Sequence, residues 1–235
     1  MMRTLCVAVI VLSLISVCQP ASLTCNKLVK PVEKGPDLSG RWYKQAFSRM
    51  SCLSSTLFDI IFWASLAVDI SSKDTPNVYD GNLKMKMYGY CFNESKPFFY
   101  NNSYINDIDS NDVPTGDPHV LLQTSCPDCI VVKANDDSDV LVLLSRRKVV
   151  TEAELKEFET QTECFGWSKP QMFNSDHDFE SCLFIDEDAT EDEATVAADT
   201  FIFKIYERLT SKYQNILKCI KDSLLYYFPI TLPFN

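Results

Sequence analysis

Asp37-Leu38-Ser39-Gly40-Arg41-Trp42-Tyr43-Lys44-Gln45-Ala46-Phe47 is the stretch on which the fold turns. A glycine, one residue, then an indole opening an extended segment suits the first strand of a barrel whose floor the indole plugs. In a strand over 40–50, Trp42, Lys44, Ala46 and Ser48 share one face by the period of two. If Trp42 points inward, Lys44 does too, unless a bulge or an outward turn frees the ammonium. Gly-x-Trp alone recurs by chance, so its weight comes from what flanks it.

Upstream, Arg3 and an apolar run over 5–17 precede the small residues Ser16, Cys18 and Ala21. The run is too short to span a bilayer and has the order of a secretory signal, here 1–21 with the cut after 18 or after 21. A retained anchor is the alternative. Secretion to an extracellular fluid is the expected localisation. Removing the signal takes Cys6 and Cys18 and leaves Cys25, Cys52, Cys91, Cys126, Cys129, Cys164, Cys182 and Cys219. An even set in a secreted chain means disulfides, whose pairing spacing alone does not choose. The sequons at Asn93 and Asn101 predict glycosylation on outer loops or rims. The 235 residues suit one or two domains, and a net charge of −10 disfavours a polyanionic partner, so no nucleic acid is expected.

Downstream, 57–70 is an unbroken apolar and aromatic run, either a strand covered on both sides or a buried helix. After the Asp80-Gly81 turn, 83–88 alternates, with Leu83, Met85 and Met87 inward. The aromatic stretch 98–105 reads as one strand carrying Phe98, Tyr100 and Tyr104. The stretch 106–118 reads as a loop with at most one faint strand, and 119–124, 129–134 and 139–146 as three more strands. Short strands on short turns make an antiparallel meander that buries its edges by closing. Val150-Thr151-Glu152-Ala153-Glu154-Leu155 predicts a capping box with a hydrophobic staple, opening a helix to about Cys164. An acidic linker is expected over 183–199, and an amphipathic helix with a basic border over 200–235.

Gly40-Arg41-Trp42-Tyr43, Thr124-Ser125-Cys126-Pro127-Asp128-Cys129, and Thr151-Glu152-Ala153-Glu154-Leu155-Lys156-Glu157-Phe158 resemble the lipocalin family. Within it they are most similar to the branch holding alpha-1-acid glycoprotein, apolipoprotein M and the fish proteins that bind tributyltin, saxitoxin and tetrodotoxin. The resemblance implies a mostly β domain over 22–182: an eight-stranded antiparallel up-and-down barrel followed by a helix. It implies Cys25–Cys164 and Cys91–Cys182 bridges, and Arg146 packed over Trp42, with Arg147 as the fallback. Cys126-Pro127-Asp128-Cys129 replaces the Thr-Asp-Tyr motif many lipocalins carry, and the tail beyond Cys182 has no match in the branch.

Cys126 and Cys129 lack the βαβ setting of a redox pair and the second pair of a zinc site, so a local disulfide is expected. Cys52 and Cys219 are then left to pair, anchoring the terminal helix near the barrel mouth. Asp176-His177-Asp178 has the look of a catalytic cluster but lies in a polar stretch read as a surface loop. No catalytic residue, metal or cofactor is assigned.

Lys44, Phe62, Trp63, Met85, Met87, Phe98, Tyr100 and Tyr104 are the candidate ligand-binding set, with Gly40, Trp42 and Arg146 structural at the floor. The expected function is non-catalytic binding and transport of a small hydrophobic or amphipathic molecule: a lipophilic xenobiotic, organotin, toxin, steroid or lipid. The alternatives are a lipoprotein-associated lipid carrier anchored through 201–228, and an isomerase using an unpaired barrel cysteine. The terminal helix has three readings: a cover on its own barrel, a lipid-surface anchor, or a dimer contact.

Overall fold

The computed structural model describes residues 24–134, 139–184 and 191–227, so the expected signal segment and the turn at 135–138 lie outside it. In chain order the elements are α1 (Cys25–Leu28), β1 (Gly40–Arg49), α2 (Cys52–Ile61), β2 (Ala64–Ser72), β3 (Val78–Met87), β4 (Tyr90–Asn101) and β5 (Tyr104–Ile108). They continue as β6 (Pro114–Leu122), β7 (Cys129–Ala134), β8 (Val140–Ser145), α3 (Glu152–Cys164), β9 (Gln171–Met172), β10 (Leu183–Phe184) and α4 (Glu191–Tyr227). Each strand from β1 to β8 pairs antiparallel with the next, and β8 returns to β1. The result is a closed up-and-down barrel of eight strands with a helix after the last, the architecture that the resemblance implied.

The floor is built from the opening stretch. Gly40 has φ +93°, and a Cβ there would lie 2.8 Å from the Arg146 guanidinium, so both backbone and space require glycine. Trp42 is buried, its Nε1 donates to the Leu38 carbonyl at 2.8 Å, and the Arg146 guanidinium carbon lies 3.9 Å from its ring centroid. Arg146 also donates to the Asp37 carbonyl at 3.0 Å. Leu38, Ile70, Tyr100, Leu121, Ile130 and Leu144 complete the plug around the indole.

The inward face of β1 departs from simple alternation. The β1–β8 register shifts between Lys44 and Ala46, making Gln45 a bulge residue. Trp42 and Lys44 therefore share the inner face with Phe47, while Ala46 packs outward with Leu141, Leu143 and Phe158. Ser48 also turns outward, donating to the Ser168 carbonyl at 2.6 Å. β1 pairs with β2 only as far as Tyr43; beyond it β9 pairs with Ala46 and Phe47, and Asn174 N donates to Ala64 O. The tail thus fills the wedge where the wall parts.

Four segments differ from the sequence reading, the first being the expected Asp80-Gly81 turn, which lies inside β3 because Asp80 and Gly81 pair on both sides, with Ser71 and Ile70 of β2 and with Pro97 and Lys96 of β4. The run over 57–70 is neither one strand nor one helix: α2 ends at Ile61 and β2 starts at Ala64. Ser51 caps α2 by accepting from Ser54 N, and the helix buries Ser55, Thr56, Asp59 and Ile60, a largely polar face that hydropathy does not mark. The stretch 98–105 is broken by a turn at Asn102, φ +56°, so Tyr104 opens β5, and the expected loop over 106–118 holds the end of β5 and the start of β6. Within the expected linker, residues 185–190 lie outside the described residues, and from Glu191 onward the chain is already helical.

α3 follows the local code. Thr151 Oγ1 accepts from Glu154 N at 3.3 Å and Glu154 Oε2 accepts from Thr151 N at 2.7 Å, the reciprocal capping box. Val150, Leu155 and Phe158 lay the helix on the outer faces of β7 and β8. Disulfides join Cys25–Cys164, Cys52–Cys219, Cys91–Cys182 and Cys126–Cys129. Each of the three long ones closes a loop worth ~2–4 kcal/mol in the unfolded ensemble.

Arg146→Ala removes the guanidinium from the indole and is expected to cost roughly 1–2 kcal/mol in urea unfolding. Thr151→Ala is expected to cost about 1 kcal/mol without altering the far-ultraviolet spectrum.

Candidate functional site

Strand β8 shows where the barrel is hollow. Its outward residues Leu141 and Leu143 are 0% and 2% exposed beneath α3, whereas its inward residues Val140 and Val142 are only half-buried. Val68, Leu83, Met85, Met87, Phe98 and Val132, inward by strand pairing, are likewise half-buried. Inner residues that stay accessible inside a closed wall line a hollow, not a filled core.

Above the floor plug, Phe47, Ala64, Leu66 and Phe173 form the upper cluster, with Leu83, Met85, Met87, Val140 and Val142 against it. Phe58 of α2 reaches this cluster, its ring 5.0 Å from Phe47, and the Arg49 guanidinium lies 4.6 Å from the Phe58 ring. As the β1–β2 connection, α2 lies at the open end, so Phe58 is a lid residue over the hollow.

The lid is held from outside by α4. Asp59, 2% exposed, accepts from Arg208 at 3.1 Å and from Lys212. Arg208 also donates to the Asp59 carbonyl and lies 4.1 Å from the Trp63 ring centroid. One carboxylate pinned by two cations four residues apart on a helix is a fixed point between α2 and α4. Cys52–Cys219 fastens the same two helices covalently. Further along, Phe201 lies 5.8, 5.3 and 6.2 Å from the rings of Tyr88, Tyr90 and Phe92, docking α4 on the β3–β4 hairpin. The hairpin turn, with Tyr88 at φ +55° and Gly89 at φ +92°, has the left-handed pair a two-residue loop needs.

The proposed binding set divides. Lys44, Met85, Met87 and Phe98 face the interior. Tyr100 belongs to the floor: its hydroxyl donates to the Pro36 carbonyl at 2.9 Å, and burial pushes its pKa up to about 12. Tyr104 is 44% exposed on the outer face, because the turn at Asn102 resets the alternation. Phe62, just past the end of α2, is 43% exposed, its ring tilted against Phe58 with centroids 4.8 Å apart, and so lies outside the wall. Trp63 lines a cleft of about 330 Å³ with Tyr88, Asp176 and Arg208 beneath α4, not the barrel. Phe47, Phe58, Leu66, Val142 and Phe173 belong to the interior and were not singled out by sequence. Asp59 carried a signal: an isolated acid within an apolar run needs a cation, and Arg208 and Lys212 stand at helical spacing.

Lys44 is the interior's charged residue of most consequence. It faces the hollow opposite Leu144, and burial alone lowers its pKa from the ordinary lysine value. His177, read as part of a surface loop, is buried: Nδ1 lies 2.6 Å from Ser65 Oγ, and its ring centroid lies 4.7 Å from that of Tyr43. Ser65 is itself buried, so the pair fastens the tail to the wall and offers no accessible nucleophile. Cys126, Cys129 and Glu154 are close enough to share a cation, but the sulfurs are bonded to each other. All eight cysteines among the described residues are bonded, so none supplies a barrel thiol. Asn93 and Asn101 are exposed on β4.

No family model matches this sequence, and no curated protein matches it. Among solved structures, the chain is similar to one described as "The Siderocalin Ex-FABP functions through dual ligand specificities". Identity is 14% and the TM-score 0.47, over 64% of this chain and 100% of that one. A likeness of that size carries no argument about ligands, and the architecture rests on the strand pairing itself.

Asp59→Asn leaves Arg208 and Lys212 facing a neutral amide and is expected to cost roughly 3 kcal/mol, read as faster hydrogen exchange in α2 and α4 with the disulfide intact. Burial holds His177 below its ordinary pKa of 6.5, so on acidification the unfolded chain takes up this proton first. The folded state should lose stability as pH falls below about 6.5, and His177→Gln should flatten that part of the melting-temperature profile.

Proposed function

We propose that this chain is a secreted, non-catalytic carrier of one small hydrophobic or amphipathic molecule, held in the barrel between the Trp42 floor and the Phe58 lid. The observation that carries the reading is the inversion on β8, where inward residues are more accessible than outward ones. A closed wall of apolar and methionine side chains around such a hollow favours a ligand recognised by shape and apolar area. Four disulfides fit an oxidising compartment, and the exposed Asn93 and Asn101 would then carry glycans. A steroid, lipid or organotin suits the wall better than a guanidinium toxin, because the inner face of β1 carries the cations Lys44 and Arg49. The likeness to the branch of alpha-1-acid glycoprotein, apolipoprotein M and the fish toxin- and tributyltin-binding proteins rests on the motifs at 40–43, 124–129 and 151–158 and belongs to the same proposal.

A second reading has its own observation. Ile202, Tyr206, Leu209, Tyr213, Leu217 and Ile220 form an exposed stripe along α4, beside the stripe that docks on the barrel. No described helix is long and apolar enough to cross a membrane. A fixed helix with an apolar outer stripe suits attachment to a lipid or lipoprotein surface while the cup carries cargo.

Native mass spectrometry of the secreted, deglycosylated protein is expected to show a small-molecule adduct released by denaturation. Met85→Lys with Met87→Lys should abolish that adduct while the protein is still secreted; an unchanged adduct would sink the cup. Tyr206→Ser with Tyr213→Ser should reduce flotation with phospholipid vesicles if the second reading holds, and leave the adduct in place.

A further inference from the structure

Three of the four disulfides tie elements far apart in the chain: Cys25 of α1 to Cys164 of α3, Cys52 of α2 to Cys219 of α4, and Cys91 of β4 to Cys182 of the tail. The fourth joins Cys126 and Cys129, three residues apart at the β6–β7 connection. A bridge over so short a loop removes little freedom from the unfolded chain. The connection is also held without it. Thr124 Oγ1 accepts from Cys126 N at 3.2 Å, Cys126 O accepts from Cys129 N at 3.3 Å, and Asp128 O accepts from Arg146 N at 2.9 Å. Glu157 of α3 accepts from Thr124 Oγ1 at 2.8 Å and from Ser125 N at 2.7 Å. The bond can therefore open without releasing the turn or the barrel.

The surroundings of its sulfurs favour exchange. Arg147 Nη2 lies 3.5 Å from Cys126 Sγ and 2.6 Å from Glu154 Oε1, while its Nε, 3.7 Å from the Asp128 carboxylate, is buried without a hydrogen bond. A guanidinium beside one sulfur stabilises the thiolate that forms there when the bond breaks, the part a helix N-terminus plays in redox pairs of βαβ folds. Both cysteines are 6% exposed, which suits a small reductant better than a protein one. With Val32, Pro36, Leu122 and Thr124 they line a cleft of about 350 Å³ through which a small molecule can approach.

We propose that Cys126–Cys129 is a thiol–disulfide exchange site that takes two electrons from a low-molecular-weight thiol. The thiolate of a first RSH molecule attacks Cys129 Sγ, the S–S bond breaks, and its electron pair leaves on Cys126 Sγ beside Arg147. Attack falls on Cys129 because the better leaving group is the sulfur next to the guanidinium. Cys129 then carries R as a mixed disulfide. A second thiolate attacks the sulfur of R, releasing RSSR and the Cys129 thiolate, and the two protons lost by RSH pass to the cysteine pair. The thiol is oxidised and the protein's pair is reduced. This activity is independent of the cup and stands apart from the carrier reading.

The test treats the full chain, with its four disulfides, with increasing 2-mercaptoethanol, alkylates the freed thiols and locates them by peptide mass mapping. Cys126 and Cys129 are expected to open at a roughly tenfold lower thiol concentration than any long bridge, with the far-ultraviolet spectrum unchanged. Opening of a long bridge first, or of all four together, overturns the proposal, and this measurement needs no variant to fold. The expected intermediate carries the mixed disulfide on Cys129 and a free Cys126; the adduct on Cys126 instead overturns the direction of attack and the role of Arg147. Arg147→Met should slow the opening roughly tenfold relative to Cys25–Cys164 in the same sample and raise the pH at which reduced Cys126 is alkylated. Arg147→Lys should restore part of both. Because the reference bridge reports any general loosening, an unchanged rate ratio in Arg147→Met likewise overturns the assignment.

Discussion

The contact on which the rest depends is the Arg146 guanidinium laid over the Trp42 indole. It joins the first strand to the end of the last, and so closes the barrel at the level where the chain enters and leaves it. Gly40 is part of the same contact, since any Cβ would meet that guanidinium. With Leu38, Tyr100 and Leu121 packed around the ring, one end of the barrel is solid. Dense packing at one end lets the other stay open, because stability is drawn from the floor, the outer layer under α3 and the disulfides and not from a filled interior.

The upper half is organised by a different force. The wall parts beyond Tyr43, the tail strand β9 fills the wedge, and the lid helix α2 lies over the mouth. Among the described residues α2 buries Ser55, Thr56, Asp59 and Ile60 and α4 buries Ala197 and Cys219, so a buried carboxylate, two cations and a disulfide hold the pair together. Such a joint specifies position more than it adds stability. It leaves the apolar stripe of α4 outward, which is what a cover that is also an attachment surface would require.

How much of this was legible depends on the range of the interaction that decides each residue. The capping box at Thr151 and Glu154 is local and could be read off six residues. Met85 and Met87 were assigned inward correctly because β3 alternates without interruption. Ala46 and Ser48 were misassigned because a bulge is settled by the partner strand. Tyr104 was placed in the cup by extending the alternation of Phe98 and Tyr100, and Phe62 and Trp63 by reading the apolar run as one element, whereas a turn and a helix end put them outside it.

The sequence by itself determined the barrel class, the floor triad of Gly40, Trp42 and Arg146, the outer helix α3 and the existence of a terminal helix. The meander and the helices follow from periodicity and caps, which the chain carries locally, whereas the closure into eight strands and Arg146 over Trp42 are what the resemblance implied. The tertiary structure decided which face of β1 turns at Gln45, that the apolar run over 57–70 splits into a lid and a strand, and that Asp59 meets Arg208 and Lys212 across about 150 residues of chain. Each of these depends on long-range pairing, whose energy exists only once the barrel has closed.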